Sequence, residues 1–160
     1  MKKYINLIVV IALAILITSC RERKVESGSM EPTIKEGEAV TVNYSAYIND
    51  QPVRWDVVAY KNDKTKDRMW CHRVVGLPGE TIDIRDSSIV INGTVLPYPA
   101  KIATIRYARM VPNTPPTIQL PYTIPKNSYF VLGDNSLDAL DSRYIGAVEF
   151  DDIRGRIEGK

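Results

Sequence analysis

The sequence predicts a mainly β protein with antiparallel sheets, on three observations. Beyond residue 25, short apolar runs alternate with polar residues and no strong helical periodicity is present. Ten prolines and nine glycines divide the chain into the short segments typical of strands and turns. Asn92-Gly93 lies between two alternating runs, which favours a hairpin with a two-residue turn. We therefore expect an antiparallel β-sheet core with a small inserted lobe, preceded by an N-terminal hydrophobic membrane segment.

The expected strands follow these runs in chain order. We expect strands in AVTVNY (39–44), DVVAYK (56–61), SIVINGTVLPY (88–98, the hairpin), NSYFVLGDN (127–135, a strand into a turn) and AVEFDDIRGRI (147–157, a strand pair or a strand and turn). Residues 98–125 are rich in proline and β-branched residues and predict an accessory lobe or long insertion within about 85–125. Residues 25–160 would form one domain.

Residues 1–20 predict a signal or anchor segment. Lys2 and Lys3 precede an apolar run over 7–17, and charge returns at Arg21. The segment ends in ITSC, which resembles a bacterial lipobox and implies cleavage before Cys20 with lipid attached to its sulfur. An uncleaved anchor helix that happens to end at this cysteine is the alternative. Either way, the positive N-terminus predicts a domain tethered on the extracytoplasmic side.

Composition narrows the function classes. Lys plus Arg total 21 against 19 for Asp plus Glu, so a net charge of +2 gives no basis for nucleic-acid binding. Two cysteines, Cys20 and Cys71, do not make a disulfide framework. A structural zinc site needs about four ligands, and the chain has a single histidine. We expect no metal and no cofactor.

The stretch SGSMEPTI contains a candidate nucleophile, Ser29. Gly28 permits close backbone approach, and Pro32 stiffens the chain after the serine. Ser27 places a second hydroxyl two residues away, where it can help to stabilise an oxyanion. Ser-Gly-Ser is also an ordinary linker composition, so the stretch alone is weak evidence for a nucleophile.

The only histidine, His72, is the best candidate for the base that a serine nucleophile needs. A hydrogen-bonded structural histidine in a strand is the alternative. The turn GDNSLDALDSRYIG supplies three carboxylates, Asp134, Asp138 and Asp141, any of which can orient a histidine. Arg143 can hold such a carboxylate by a two-pronged salt bridge. A solvated turn would show the same composition.

Taken in order, these stretches resemble the type I signal peptidases, the serine endopeptidases that remove signal peptides from exported proteins. SGSMEPT resembles the nucleophile box, EGEAVTV the next box, DVVAYK the following strand and HRVVGLPGE the base box. IPKNSYFVLGDNSLDALDSRYIGAV resembles the last box. The resemblance implies an antiparallel β core of the type shared with LexA-like self-cleaving repressors.

The resemblance also implies roles for individual residues. Ser29 would be the nucleophile, and its N–H with the Ser27 hydroxyl would form the oxyanion hole. Typical bacterial members have a lysine base where this chain has His72, as in the endoplasmic-reticulum and archaeal branch. Ala139 stands where those members have a serine that bonds the lysine. Asp141 would therefore orient His72, with Asp134 as the alternative. The remaining expected site residues are Met30 and Pro32 at the substrate, and Asn135, Ser142 and Arg143 in support.

The function implied is a membrane-tethered endopeptidase that cleaves preprotein signal peptides after small residues, in an Ala-x-Ala-like context. Its partners would be signal peptides and membrane lipids. The changes at His72 and Ala139 keep open a second function, an inactive lipoprotein that binds extended peptides. A self-cleaving regulator would need a DNA-binding domain where the apolar segment lies.

Overall fold

The computed structural model describes residues 19–62, 68–112 and 114–160. Within these ranges the chain forms two antiparallel sheets. The larger sheet has the strand order β1-β2-β11-β3-β4-β9-β10. Its strands are β1 (Cys20–Lys24), β2 (Ala39–Asn43), β3 (Val57–Lys61), β4 (Met69–Gly76), β9 (Ser128–Leu132), β10 (Val148–Glu149) and β11 (Ile153–Ile157). The predicted mainly β, antiparallel fold is confirmed.

The smaller sheet has the order β7-β6-β5-β8, with β5 at Thr81–Arg85, β6 at Ser88–Ile91, β7 at Thr94–Val95 and β8 at Tyr122–Thr123. It begins before residue 85, ahead of the expected insertion. Asn92 and Gly93 both have positive φ, 50° and 83°, as the predicted two-residue hairpin turn requires. Among the described residues of the proline-rich stretch 98–125, β8 is the one strand, consistent with the inability of proline to donate to a sheet ladder.

The last two strands do not pair with each other. β10 pairs with β9, whereas β11 lies between β2 and β3. A single-turn 3-10 helix, Phe150–Asp152, separates them and redirects the chain. Because the C-terminal strand β11 is inserted between β2 and β3, strands β3 and β4 lie near the centre of the larger sheet, each with a neighbouring strand on both sides.

Apolar side chains cover both faces of the central strands. One cluster joins Met30 and Ile34 to residues of β2 and β3. A second lies on the opposite face around Val58, Tyr60 and β9. The third fills the smaller sheet and reaches Phe130 and Leu132 of β9. These clusters fix β3, β4 and β9 relative to the loop that precedes β2.

The N-terminal segment expected to enter a membrane lies outside the described residues, apart from its last two positions. Among the residues that are described, no helix is long and apolar enough to cross a membrane.

Candidate active site

The expected nucleophile lies on a short, well-anchored turn. Gly28–Met30 form a single turn of 3-10 helix, and Ser27 precedes it in an extended conformation. Met30 is completely buried in the apolar cluster below and anchors the adjacent Ser29, which is itself largely buried with 9% of its area exposed. The hydroxyls of Ser27 and Ser29 lie 3.2 Å apart. The two serines therefore form one hydroxyl pair, as the sequence pattern predicts.

His72 projects from the middle of β4 and is 2% exposed. Burial lowers its pKa from 6.5 to about 4; the charge of Arg143 acts in the same direction, while those of Asp141 and Asp134 oppose it. A histidine with such a pKa is neutral at pH 7, which is the form able to accept a proton.

The hydrogen-bond partner of His72 is a tyrosine, which the sequence analysis did not find. The hydroxyl oxygen of Tyr60 lies 2.8 Å from Nδ1 of His72. Tyr60 is fully buried on β3, and burial raises the pKa of its phenol well above 10. Period-two alternation along DVVAYK and MWCHRV is the signal that could have shown this pair, but the strand register was also required.

The carboxylate of Asp141 is hydrogen-bonded to Arg143 and Gly133. Oδ1 accepts hydrogen bonds from the backbone N–H of Arg143 and from its Nε at 2.8 Å; Oδ2 accepts from Nη2 of Arg143 at 2.7 Å and from the Gly133 N–H at 3.0 Å. Both side chains are completely buried. Among the described residues, the expected hydrogen bond in which Asp141 would accept from His72 is therefore not formed. An arginine two residues away takes the carboxylate instead.

Asp134, the alternative partner, is likewise engaged by other groups. Arg73 donates to it from Nε at 2.9 Å and from Nη2 at 2.6 Å, and both side chains are almost fully buried. The hydroxyls of Thr33 and Tyr107 also donate to Asp134. This carboxylate therefore ties β4 to the nucleophile loop. Asp138 is exposed at the rim of the site.

The loop after β9 contacts the nucleophile turn directly. The backbone N–H of Asn135 donates to the Ser29 carbonyl at 2.9 Å, and its side-chain amide donates to the Gly28 carbonyl at 3.1 Å. The Ser142 hydroxyl accepts from the Val131 N–H at 2.9 Å, which fixes the end of the same loop to β9. Of the three expected supporting residues, Asn135 contacts the nucleophile turn itself, while Ser142 contacts β9 and Arg143 contacts Asp141.

Gly133 packs against both the Ser29 backbone and the His72 ring. A Cβ added there would lie 2.4 Å from Cβ of Ala139, 2.6 Å from the carbonyl oxygen of Ser29 and 3.4 Å from Cδ2 of His72. Real Cβ atoms essentially never approach other atoms under 3.0 Å. Only glycine permits this packing, in which the Ser29 turn and the His72 ring meet.

Ser27, Ser29 and His72 open onto one cleft of about 540 Å³. Four strands contribute apolar side chains to its walls: Val40, Val42, Ala59, Cys71 and Ile157, with the larger Met69, Trp70 and Leu140 beside them. Charged side chains line its rim, namely Arg23, Lys24, Glu26, Lys61, Arg68 and Asp138. The cleft can therefore hold an extended apolar chain beside a serine hydroxyl and a neutral imidazole.

Met30 and Pro32, expected at the substrate, are not among the described residues that line this cleft. Met30 points into the core, and Pro32 borders a smaller depression of about 240 Å³ on another side of the turn. Met30 therefore anchors the turn from below, whereas Pro32 is exposed beside it.

The two cysteines are free. Cys20 is exposed at the start of β1, whereas Cys71 is largely buried, and burial raises the pKa of its thiol to about 11. Within the described ranges, no three histidine, cysteine or carboxylate side chains are grouped as metal ligands would be.

Comparison with known proteins identifies the family. The model of the family "Signal peptidase, peptidase S26" matches residues 1–159. Signal peptidase I of Bacillus amyloliquefaciens is 33% identical over 139 residues, covering 86% of this chain and 72% of the relative. Signal peptidase I P of Bacillus subtilis subsp. natto is 32% identical over 157 residues, covering 98% of this chain and 84% of the relative.

A solved structure is also similar. The crystal structure of a signal peptidase I from Enterococcus faecalis V583 superimposes with a TM-score of 0.52 at 31% identity, covering 67% of this chain and 97% of that one. The family model matches nearly the whole chain, and the serine, the histidine and the cleft lie within the matched residues. The chain therefore belongs to the signal peptidase family, peptidase S26.

Proposed function

We propose that this signal peptidase removes signal peptides with Ser29 as nucleophile and His72 as general base. The observation that carries the proposal is that the Ser29 turn and the His72 ring both pack against Gly133, and that Ser29 and His72 line one cleft. The Ser29 hydroxyl attacks the scissile carbonyl carbon while its proton passes to His72. The imidazolium then gives that proton to the leaving amine, and water hydrolyses the acyl-enzyme ester.

The hydroxyl pair supports an oxyanion hole in this mechanism. Ser27 lies close enough to Ser29 to donate to the oxygen that becomes negative as the Ser29 ester forms. The Ser29 backbone N–H is the second donor. Asn135 holds the turn by donating to the Gly28 and Ser29 carbonyl groups, neither of which is the N–H that this role requires.

Histidine in place of lysine suits a site buried to this degree. A lysine must lose several pKa units from about 10.4 to act as a base near neutrality. His72 is already neutral there, because burial lowers its pKa to about 4. In this scheme Asp141 acts through its charge, which favours the imidazolium formed during the reaction, while Arg143 fixes its position.

The cleft supports small side chains on the substrate. An extended chain lying along Val40, Val42 and Ala59 would place alternate residues against a floor of branched and small apolar groups. Such a floor is compatible with an Ala-x-Ala-like sequence ahead of the cleaved bond. No cofactor is needed for this chemistry.

Residues 1–20 would tether the domain to the extracytoplasmic face of a bacterial membrane, either as an anchor or through lipid on Cys20. Cys20 is exposed at the start of an edge strand, which is accessible to modification. Mass spectrometry of the mature N-terminus distinguishes an acylated Cys20 from an intact Met1.

The second candidate is an inactive protein that binds extended peptides in the same cleft. The absence of a carboxylate bond to His72 among the described residues favours it, because such a bond normally orients a histidine base. Incubation of a preprotein with the parent chain and with Ser29→Ala separates the two. The peptidase proposal expects cleavage by the parent alone, and equal absence of cleavage would reject it.

A further inference from the structure

The imidazole of His72 lies within a group of aromatic side chains. In the β3–β4 ladder His72 is opposite Val58 and Trp70 is opposite Tyr60, so Tyr60 and His72 are diagonal neighbours on one face. Their ring centroids are 5.9 Å apart, and the Trp70 ring meets the His72 ring edge-on at 6.1 Å. The ring plane is therefore set by packing from two strands.

The direction of the Tyr60–His72 hydrogen bond decides whether the histidine can act. If the phenol accepts from Nδ1–H, the proton is on Nδ1 and the lone pair of Nε2 is available for the Ser29 proton. If the phenol donates to Nδ1, Nε2 carries the proton and cannot accept another. One neutral tautomer is competent, and the other is not.

We propose that Tyr60 is the positioning residue of the active site, its hydroxyl oxygen accepting from Nδ1–H of His72 and leaving Nε2 free as the base. The inference rests on the proposed Ser29–His72 mechanism. Tyr60 thus takes the place that an aspartate holds in a Ser-His-Asp triad. Neither nearby carboxylate is available for that bond, since Arg143 and Gly133 occupy Asp141 while Arg73, Thr33 and Tyr107 occupy Asp134.

Burial keeps Tyr60 a neutral phenol. Its hydroxyl can therefore orient the His72 ring without adding a second negative charge beside that ring. The single histidine makes the tautomer directly measurable, because every imidazole nitrogen signal belongs to His72. We would record long-range ¹H–¹⁵N spectra of the full chain in detergent micelles at pH 7. The expected result for the parent is protonation at Nδ1 alone.

Tyr60→Phe removes only the hydroxyl and keeps the ring. We expect it to lose the single Nδ1–H tautomer and to lower kcat at least about 10-fold, with KM nearly unchanged, since ring orientation and not peptide binding is altered. Tyr129→Phe is the matched control: it removes the hydroxyl of another buried tyrosine, bonded to Gln51, and should keep both the tautomer and kcat.

The parent protonated at Nε2 would overturn the inference, as would Tyr60→Phe retaining either the parental tautomer or the parental kcat. Failure of the proposed function gives a different result, in which the parent and Ser29→Ala leave a preprotein equally uncut. The tautomer is read without substrate, so the two failures are separable.

Discussion

Gly133→Ala tests the packing that joins the nucleophile to the base. The added methyl would lie 2.4 Å from Cβ of Ala139 and 2.6 Å from the carbonyl oxygen of Ser29, where ordinary contact begins at 3.4 Å. The Ser29 backbone must therefore retreat by about 0.8 Å, the difference between 3.4 and 2.6 Å, or β9 must shift by a similar amount.

Two effects follow. Overpacking of this kind lowers the free energy of unfolding by about 1–3 kcal/mol. Displacing a reacting group by roughly 1 Å lowers kcat/KM by about 10²-fold. Urea unfolding measures the first effect, and preprotein cleavage per folded molecule measures the second.

Gly155→Ala is the matched control, because its methyl would lie 2.4 Å from the backbone oxygen of Asn43, in a contact outside the cleft. We expect this variant to lose stability but to keep kcat/KM. Parental cleavage by Gly133→Ala would contradict the proposed role of Gly133. So would an equal loss of activity in both variants after correction for the folded fraction.

Three further predictions concern charges at the site. His72→Lys should stay well below parental cleavage, because Ala139 supplies no hydroxyl to a lysine; comparable cleavage would contradict this. Burial lowers the pKa of His72 from 6.5 to about 4, so between these values the unfolded chain binds more protons and stability is lost as pH falls. At 1.36 kcal/mol per pKa unit, the loss in the free energy of unfolding should approach about 3 kcal/mol. Urea unfolding of the parent and of His72→Gln, each at pH 7 and pH 4, measures this loss. An identical pH dependence of the two proteins would refute the prediction. Arg143→Met should lower the free energy of unfolding by about 3–5 kcal/mol, because the carboxylate of Asp141 loses its buried partner. If this is the cause, the double variant Arg143→Met/Asp141→Leu should recover the lost stability.

Local patterns predicted much of the fold. The Asn92-Gly93 turn follows directly from the need for two positive φ angles, and the apolar runs at 39–44 and 56–61 contain β2 and β3. The route of the C-terminal strand was not predictable in this way. Insertion of β11 between β2 and β3 depends on contacts far apart in sequence, which alternation does not encode.

The candidate site, like the fold, was predictable from local patterns only in part. The order of the sequence boxes predicts Ser29 and His72, and the structure places both on one cleft. Tyr60 beside His72 was not predictable in this way, because composition suggests a carboxylate partner but does not show which groups already bond that carboxylate. Arg143 takes Asp141, and the β3–β4 register brings in Tyr60.

Single-turnover cleavage of a preprotein at pH 7 shows whether His72 is the base for Ser29. Lys61 also lines the cleft and is the matched alternative base, although it is exposed and lies at the end of β3. We expect His72→Ala to slow the chemical step by about 10²–10⁴-fold and Lys61→Met to leave it within a few-fold of the parent. Loss of the step in Lys61→Met, with His72→Ala unaffected, would contradict the account.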